Sequence, residues 1–216
     1  MRLYPKSRGQ WIRLGVLALV AALLFTYKFI LPFMGYIAYE PQSGDILFQS
    51  LPGNELIDAI EGATHSPYSH CGVVVKRHGK WAVIQALGYV EYTSLYLWVA
   101  QGRSGKFAVY RLKPDYVNAI PKFIEELHKF VGLPYDFHYE MGDDAIYCSE
   151  LVYKAYKNAT GTELGRLVKL GDLDWQPFAD VIRRHEGSSP PLQRVMITPK
   201  HLSEAHQLEK VYAFGL

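Results

Sequence analysis

The stretch DDAIYCSELVYKAY, residues 143–156, places Cys148 where an acidic, flexible-looking segment gives way to an apolar stripe. Leu151, Val152 and Ala155 follow at i+3, i+4 and i+7, so the spacing predicts a helix with Cys148 in its first turn. A thiol in that position feels the positive end of the helix dipole, which favours thiolate, and the first-turn N–H groups can hold an oxyanion. The same stripe also fits a small core residue, and Cys71 offers a disulfide partner. Nucleophile, core residue and half-disulfide are all open at this point.

A second group of chemistry-bearing residues lies on a predicted hairpin. SHCGVVVKRHGKWAVIQAL, residues 69–87, reads as two strands around a His78-Gly79 turn. With Arg77 opposite Lys80, Gly72 faces Gln85 and His70 faces Leu87. Side chains alternate, so His70, Gly72 and Val74 share a face with Val83, Gln85 and Leu87. Gln85 is then the diagonal neighbour of His70, and Gly72 leaves space between them. An imidazole and an amide placed this way suit a base and its orienter. Cys71 points to the opposite face. With Cys148 expected on the face of His70, the Cys71–Cys148 disulfide is disfavoured and the two thiols are expected to stay unlinked.

The elements around these residues follow from pattern. GDILFQS (44–50) reads as a strand, and residues 54–64 as a short helix. YVEYTSL (89–95) and KFAVYRLK (106–113) are two further strands. Asp115 is expected to cap a helix carrying Tyr116, Ile120, Phe123, Ile124, Leu127 and Val131, stopped by Gly132-Leu133-Pro134. The Cys148 helix is expected to end near residues 158–161. A charge-rich helix follows over 177–185, then a short helix opened by Thr198-Pro199 and a last strand-like run. Strands in the middle and helices after them give an α+β domain with an antiparallel sheet.

Composition bounds the rest. Of 216 residues, 49% are hydrophobic and 20% charged, which is globular rather than disordered. Five of the 23 basic residues precede Glu40 and no acidic residue does, leaving 18 basic against 21 acidic in residues 40–216. No basic face for nucleic acid is expected. The basic start flanks an apolar run over residues 14–34, 21 long if Lys28 snorkels, about the ~20 needed to cross a bilayer. The expected organisation is a cytoplasmic basic tail over 1–13, a signal anchor over 14–34 and a soluble domain over 40–216, outside the inner membrane by the positive-inside rule. A cleaved signal peptide is the competing reading.

The ordered set GDILF (44–48), SHCGVVV (69–75), VIQA (83–86) and YCSELV (147–152) resembles the NlpC-like branch of the papain superfamily. There the Cys helix usually comes first. Here it comes last, as in the circularly permuted YiiX/YebB-like cysteine hydrolases, distant relatives of lecithin retinol acyltransferase-like proteins. GLPYD (132–136) and ITPKHLSEAHQLEKV (197–211) also look like that branch, so the resemblance spans about residues 40–216. It implies a permuted papain-like fold and a thiol hydrolase in which Cys148 is the nucleophile, His70 the base and Gln85 the third residue. A glutamate or histidine is more usual at the third position, and a glutamine orients the ring without supplying a full charge.

Tyr147, Asp136 and Asp45 are candidate substrate-binding residues, each with a structural alternative: pocket lining, loop hydrogen bonding and strand start. Glu150 reads as a solvated first-turn residue. His201 and His206 are off the i, i+4 spacing of a helical metal pair, and no metal or other cofactor is expected. The expected substrate is an amide in a peptidoglycan peptide or a membrane lipid. The rivals are a lipid acyltransferase or esterase, and a catalytically weak binding module; an apolar cleft beside Cys148 would favour the lipid rival and a polar groove the peptide.

Overall fold

The computed structural model describes residues 8–26 and 30–216. Arg2, Lys6 and Lys28, on which part of the leader reading rests, lie outside the described residues. Helix α1 (Arg8–Phe25) has no buried residue, and by length and composition it is apolar enough to cross a membrane. Helix α2 (Leu31–Ala38) opens with Pro32 in its first turn, and Pro32 and Gly35 are buried against the domain.

The domain is built on a six-stranded antiparallel sheet in the order β4-β3-β2-β1-β5-β8. Its strands are β1 (Ile46–Gln49), β2 (His70–Arg77), β3 (Lys80–Leu87), β4 (Tyr89–Ser94), β5 (Phe107–Leu112) and β8 (Leu208–Phe214). Helix α3 (Glu55–Thr64) lies between β1 and β2, and Asn54 caps it by accepting the Ile57 N–H at 3.0 Å. The β2–β3 turn is as expected: Arg77 pairs with Lys80, and His78 and Gly79 both take positive φ, the geometry of a two-residue turn that matches strand twist.

Two elements differ from the sequence reading. Helix α4 (Leu95–Gln101) follows β4 directly; Leu95, Trp98 and Val99 are its buried face and Ser94 its cap. The sequence reading ended its strand at Leu95 and assigned no element to residues 96–105. The helix expected from Asp115 begins as a 3₁₀ turn (Pro114–Ala119) preceded by Lys113, and α5 proper is Ile120–Lys129. Pro121 explains the break, because a proline without an N–H fits an α-helix only in its first turn.

The remaining elements are α6 (Cys148–Thr160), a two-stranded ribbon of β6 (Val168–Lys169) and β7 (Val195–Met196), α7 (Ala179–Glu186) and α8 (Pro199–Ser203). Alternation along the strands divides the core. Ile46, Phe48, Cys71, Val73 and Ile84 face α6. Leu47, Val74, Val83 and Val109 face α4 and Tyr39. Gly72 permits this second layer: a Cβ there would come within 3.2 Å of Trp98 Nε1 and 2.5 Å of Val83 Cγ1.

Candidate active site

Cys148 is the first residue of α6, and extended Tyr147 (φ −99°, ψ 171°) caps the helix. Leu151 N–H is the first to bond back, to the Tyr147 carbonyl at 3.0 Å. The helical ladder gives no partner to the N–H groups ahead of it, as at any helix start. Glu150 Oε2 reaches back to accept the Tyr147 N–H at 3.3 Å. Glu150 is fully buried rather than solvated, and desolvation pushes its carboxyl up to about 7. Lys154 Nζ stands 2.9 Å from Glu150 Oε1, an ion-pair distance without hydrogen-bond alignment.

His70 begins β2 opposite Gln49, at the sheet margin where α6 starts. Its Nε2 is 2.7 Å from Gln85 Oε1. The Gln85 amide has a fixed orientation. Its Nε2 donates to Thr93 Oγ1 at 2.8 Å and, at 3.4 Å, to Glu91 Oε1. Its Oε1 also accepts from Gln101 Nε2 at 2.8 Å. An oxygen facing His70 requires that the ring carry its proton on Nε2, so Nδ1 is the nitrogen left for the thiol. Trp98 stacks on the imidazole with ring centroids 6.0 Å apart and a 25° tilt. Glu91, Thr93, Trp98 and Gln101 were not singled out in the sequence. The β3–β4 register, Gln85 opposite Glu91, is the signal that could have found the first two.

One placement is corrected. Cys148 belongs to the apolar cluster of Cys71, Val73 and Val75, not to the face of His70. The site straddles the end of β2, with the thiol on the α6 side and the orienting amide on the α4 side. The Cys71 thiol, the His70 ring and the Cys71 backbone all act on the Cys148 thiol. Opposite faces therefore do not keep the two cysteines apart, although both are free. The hydrogen bond from Cys71, joined by those from His70 and the backbone, holds Cys148 well below the usual thiol range in spite of burial. Burial and the neighbouring Cys148 push Cys71 up.

A cavity of about 100 Å³ opens beside Cys148. Its apolar wall includes Leu56 and Ile60 of α3, Ile182 of α7, and Leu170, Met196 and Ile197. Tyr147 lines it too; the Tyr147 hydroxyl accepts the Ile197 N–H at 2.9 Å, and Ser149 Oγ donates to the Ile197 carbonyl at 2.8 Å, which fixes this wall to the start of α6. Tyr139, another lining residue, holds a left-handed φ of 56°, the kind of strained backbone that gathers at binding sites.

Asp136 and Asp45 are not brought to the cavity. Asp136 accepts the N–H groups of His138 at 2.8 Å and Glu140 at 2.5 Å, shaping the loop that carries Tyr139. Asp45 is fully buried at the other end of β1. It takes a two-pronged bond from Arg111, at 2.7 and 2.9 Å, and the Tyr39 hydroxyl at 2.6 Å. Its structural alternative is the one the contacts fit.

A helix-borne thiol, a strand-borne imidazole and an amide on the next strand, with the thiol helix after the strands that carry the other two, define a permuted papain-like architecture. The model of the permuted papain-like amidase family, YaeF/YiiX, C92, matches residues 40–212, and the chain belongs to that family. The chain is 38% identical over 178 residues to the uncharacterized protein YiiX of Escherichia coli strain K12, covering 81% of this chain and 87% of that protein. A crystal structure described as the metalloprotein YiiX from Escherichia coli O157:H7 superposes with a TM-score of 0.76 at 37% identity, over 81% of this chain and 98% of that one.

Proposed function

We propose that the chain is a thiol amidase in which Cys148 attacks a carbonyl, His70 moves the proton and Gln85 holds the ring. The observation that carries this is the His70 ring, held 2.7 Å from Gln85 Oε1, acting with Cys71 to lower the Cys148 thiol at the start of α6. The Cys148 thiolate forms a C–S bond to the substrate carbonyl carbon while the oxyanion is held by first-turn N–H groups. The C–N bond then breaks, and the imidazolium delivers its proton to the leaving amine. A water, deprotonated by His70, cleaves the thioester and restores the thiolate. Among the described residues no group of three or more His, Cys, Asp or Glu is placed to hold a metal ion. No step runs through one.

The substrate class in this reading is an amide at the cell envelope, in a peptidoglycan peptide or an amide-linked lipid. Helix α1 supports an anchored protein with its catalytic domain on the outer side of the cytoplasmic membrane. The apolar cavity favours the lipid side of the choice, and with it a second reading as an acyltransferase or esterase, whose thioester intermediate is the same. Incubation with an N-acyl amide, followed by intact-mass analysis, tests the common step. An acyl-sized mass increase on Cys148 with stoichiometric amine release is expected; a binding module on this scaffold gives neither.

A further inference from the structure

Gln85 stands where a charged third residue would favour an imidazolium, and its amide carries no net charge. A charge lies one group further out. The hydrogen bonds leading away from the His70 ring all run in one direction. The ring Nε2 faces Gln85 Oε1 at 2.7 Å, Gln85 Nε2 donates to Thr93 Oγ1 at 2.8 Å, and Thr93 Oγ1 donates to Glu91 Oε1 at 3.2 Å. A longer contact of 3.4 Å joins Gln85 Nε2 to the same carboxylate oxygen. The single hydroxyl proton of Thr93 points at Glu91, so its lone pairs are left to accept from Gln85. Strand register builds the arrangement. Gln85 lies opposite Glu91 and Val83 opposite Thr93, so Glu91 and Thr93 share the face of Gln85.

Glu91 is half-buried, and among the described residues it forms no ion pair. Helix α4, which covers this face, contains no charged residue, and β3 presents Trp81, Val83 and Leu87 beside Gln85. The other titratable groups on the face are Tyr89, His70 and Lys76. Lys76 lies over the Trp81 ring at 5.3 Å, six residues along β2 from His70 and so roughly 20 Å away. The group nearest Glu91 that can carry positive charge is the His70 ring, one amide away.

We propose that Glu91 is a positioning residue whose charge, acting through the Gln85 amide and the Thr93 hydroxyl, stabilises the His70 imidazolium paired with the Cys148 thiolate. The proposal rests on the thiol-hydrolase reading above and adds a fourth member to its site. A carboxylate accepting from the nitrogen end of an amide leaves the oxygen end more negative, because hydrogen bonds in series polarise one another. The direct field acts in the same sense. With a unit charge roughly 8 Å from the ring and an effective dielectric of about 30, its loss weakens the thiolate–imidazolium pair about tenfold.

The test is the rate at which iodoacetate alkylates Cys148 against pH, read on the Cys148 peptide by mass spectrometry after reaction of the full chain. An anionic reagent is attracted while the ring is protonated and loses that attraction when the ring is neutral. The alkaline limb of the profile therefore reports the imidazolium. Glu91→Gln keeps the side-chain length and an oxygen for the Thr93 hydroxyl, and removes only the charge. Its alkaline limb should lie about one pH unit below that of the parent. The exchange of Gln85→Glu together with Glu91→Gln returns the charge to the ring's own partner. It should bring the limb back to the parent position or above it, a rescue that a packing role for Glu91 does not give. A Glu91→Gln limb that overlays the parent, or a displaced limb that the exchange leaves where it is, overturns the role of Glu91 and leaves the pairing of Cys148 with His70 intact. A parent profile without an alkaline limb, or one that His70→Ala leaves unchanged, overturns the thiol-hydrolase reading as well.

Discussion

Cys148 and Cys71 sit side by side, and which of them keeps its proton decides which is the nucleophile. Cys71 is the donor, and its hydrogen bond heads the influences that lower Cys148. Replacing Cys71 with Ala removes that donor. The alkylation rate of Cys148 at neutral pH should fall about tenfold, the worth of one charge-assisted hydrogen bond of roughly 1.5 kcal/mol. Cys71→Ser keeps a donor and should fall less. Iodoacetamide kinetics on the two variants check this, and equal rates in all three proteins would remove Cys71 from the site. Sequence alternation had separated the two thiols. It told correctly which face each strand residue takes, but it contains nothing about which face the Cys148 helix packs on. By contrast, the pairing of His70 with Gln85 was legible from the His78-Gly79 turn alone, because a two-residue turn fixes register over the whole hairpin.

At the scale of elements, β4 and α4 hold the Gln85 amide from behind. Thr93 is a positioning residue in this account. Thr93→Val leaves Gln85 Nε2 only the 3.4 Å contact to Glu91, so the amide loses its preferred orientation. The catalytic rate should drop several-fold with KM little changed, and Thr93→Ser should restore it; an unchanged kcat would show that Gln85 is held by Gln101 alone. Two buried groups give the stability of α6 and α8 opposite pH dependences. Glu150 has its folded pKa raised to about 7 from 4.5, so it binds its proton more tightly when folded. Its contribution is present below pH 4.5 and is lost as pH rises through 7. His201 has its folded pKa lowered to about 4 from 6.5, so its contribution is present above pH 6.5 and lost as pH falls toward 4. In melting curves at pH 5 and pH 8, Glu150→Gln should gain most at pH 8, and His201→Gln should flatten the acid limb. The opposite pattern would contradict the burial of either group. α4 itself was hidden in the sequence because Leu95, Trp98 and Val99 satisfy strand and helix preference alike, and only packing over Gly72 decides.

At the scale of the molecule, the apolar leader divides its labour. Residues 31–34, expected in the anchor, lie in α2, where Pro32 is buried and Phe33 meets Tyr96 of α4 edge-on. Composition distinguishes apolar from polar but not lipid from protein as the apolar partner. Tyr39 continues this cover, stacking on Tyr212 at 5.6 Å and meeting Phe107 edge-on at 5.8 Å, with its hydroxyl on Asp45. Burial beside Asp45 raises its phenol, keeping it a neutral donor. A chain beginning at residue 31 should therefore melt well above one beginning at residue 40. Losing a buried aromatic costs about 3–5 kcal/mol, or roughly 10 °C for a domain of this size. Equal melting temperatures would show that α2 and Tyr39 are dispensable cover, and that the domain boundary read from charge balance at Glu40 is the energetic one.

The proposed mechanism requires Cys148 and His70 to act as one unit. The measurement is the rate of Cys148 alkylation by iodoacetamide against pH, in the parent and in His70→Ala. Loss of the ring removes a hydrogen-bonding partner that favours the Cys148 thiolate, so the His70→Ala profile should move to higher pH and turnover should vanish. If the two profiles overlay, the thiol and the imidazole are not a catalytic pair, and the hydrolase mechanism fails with them.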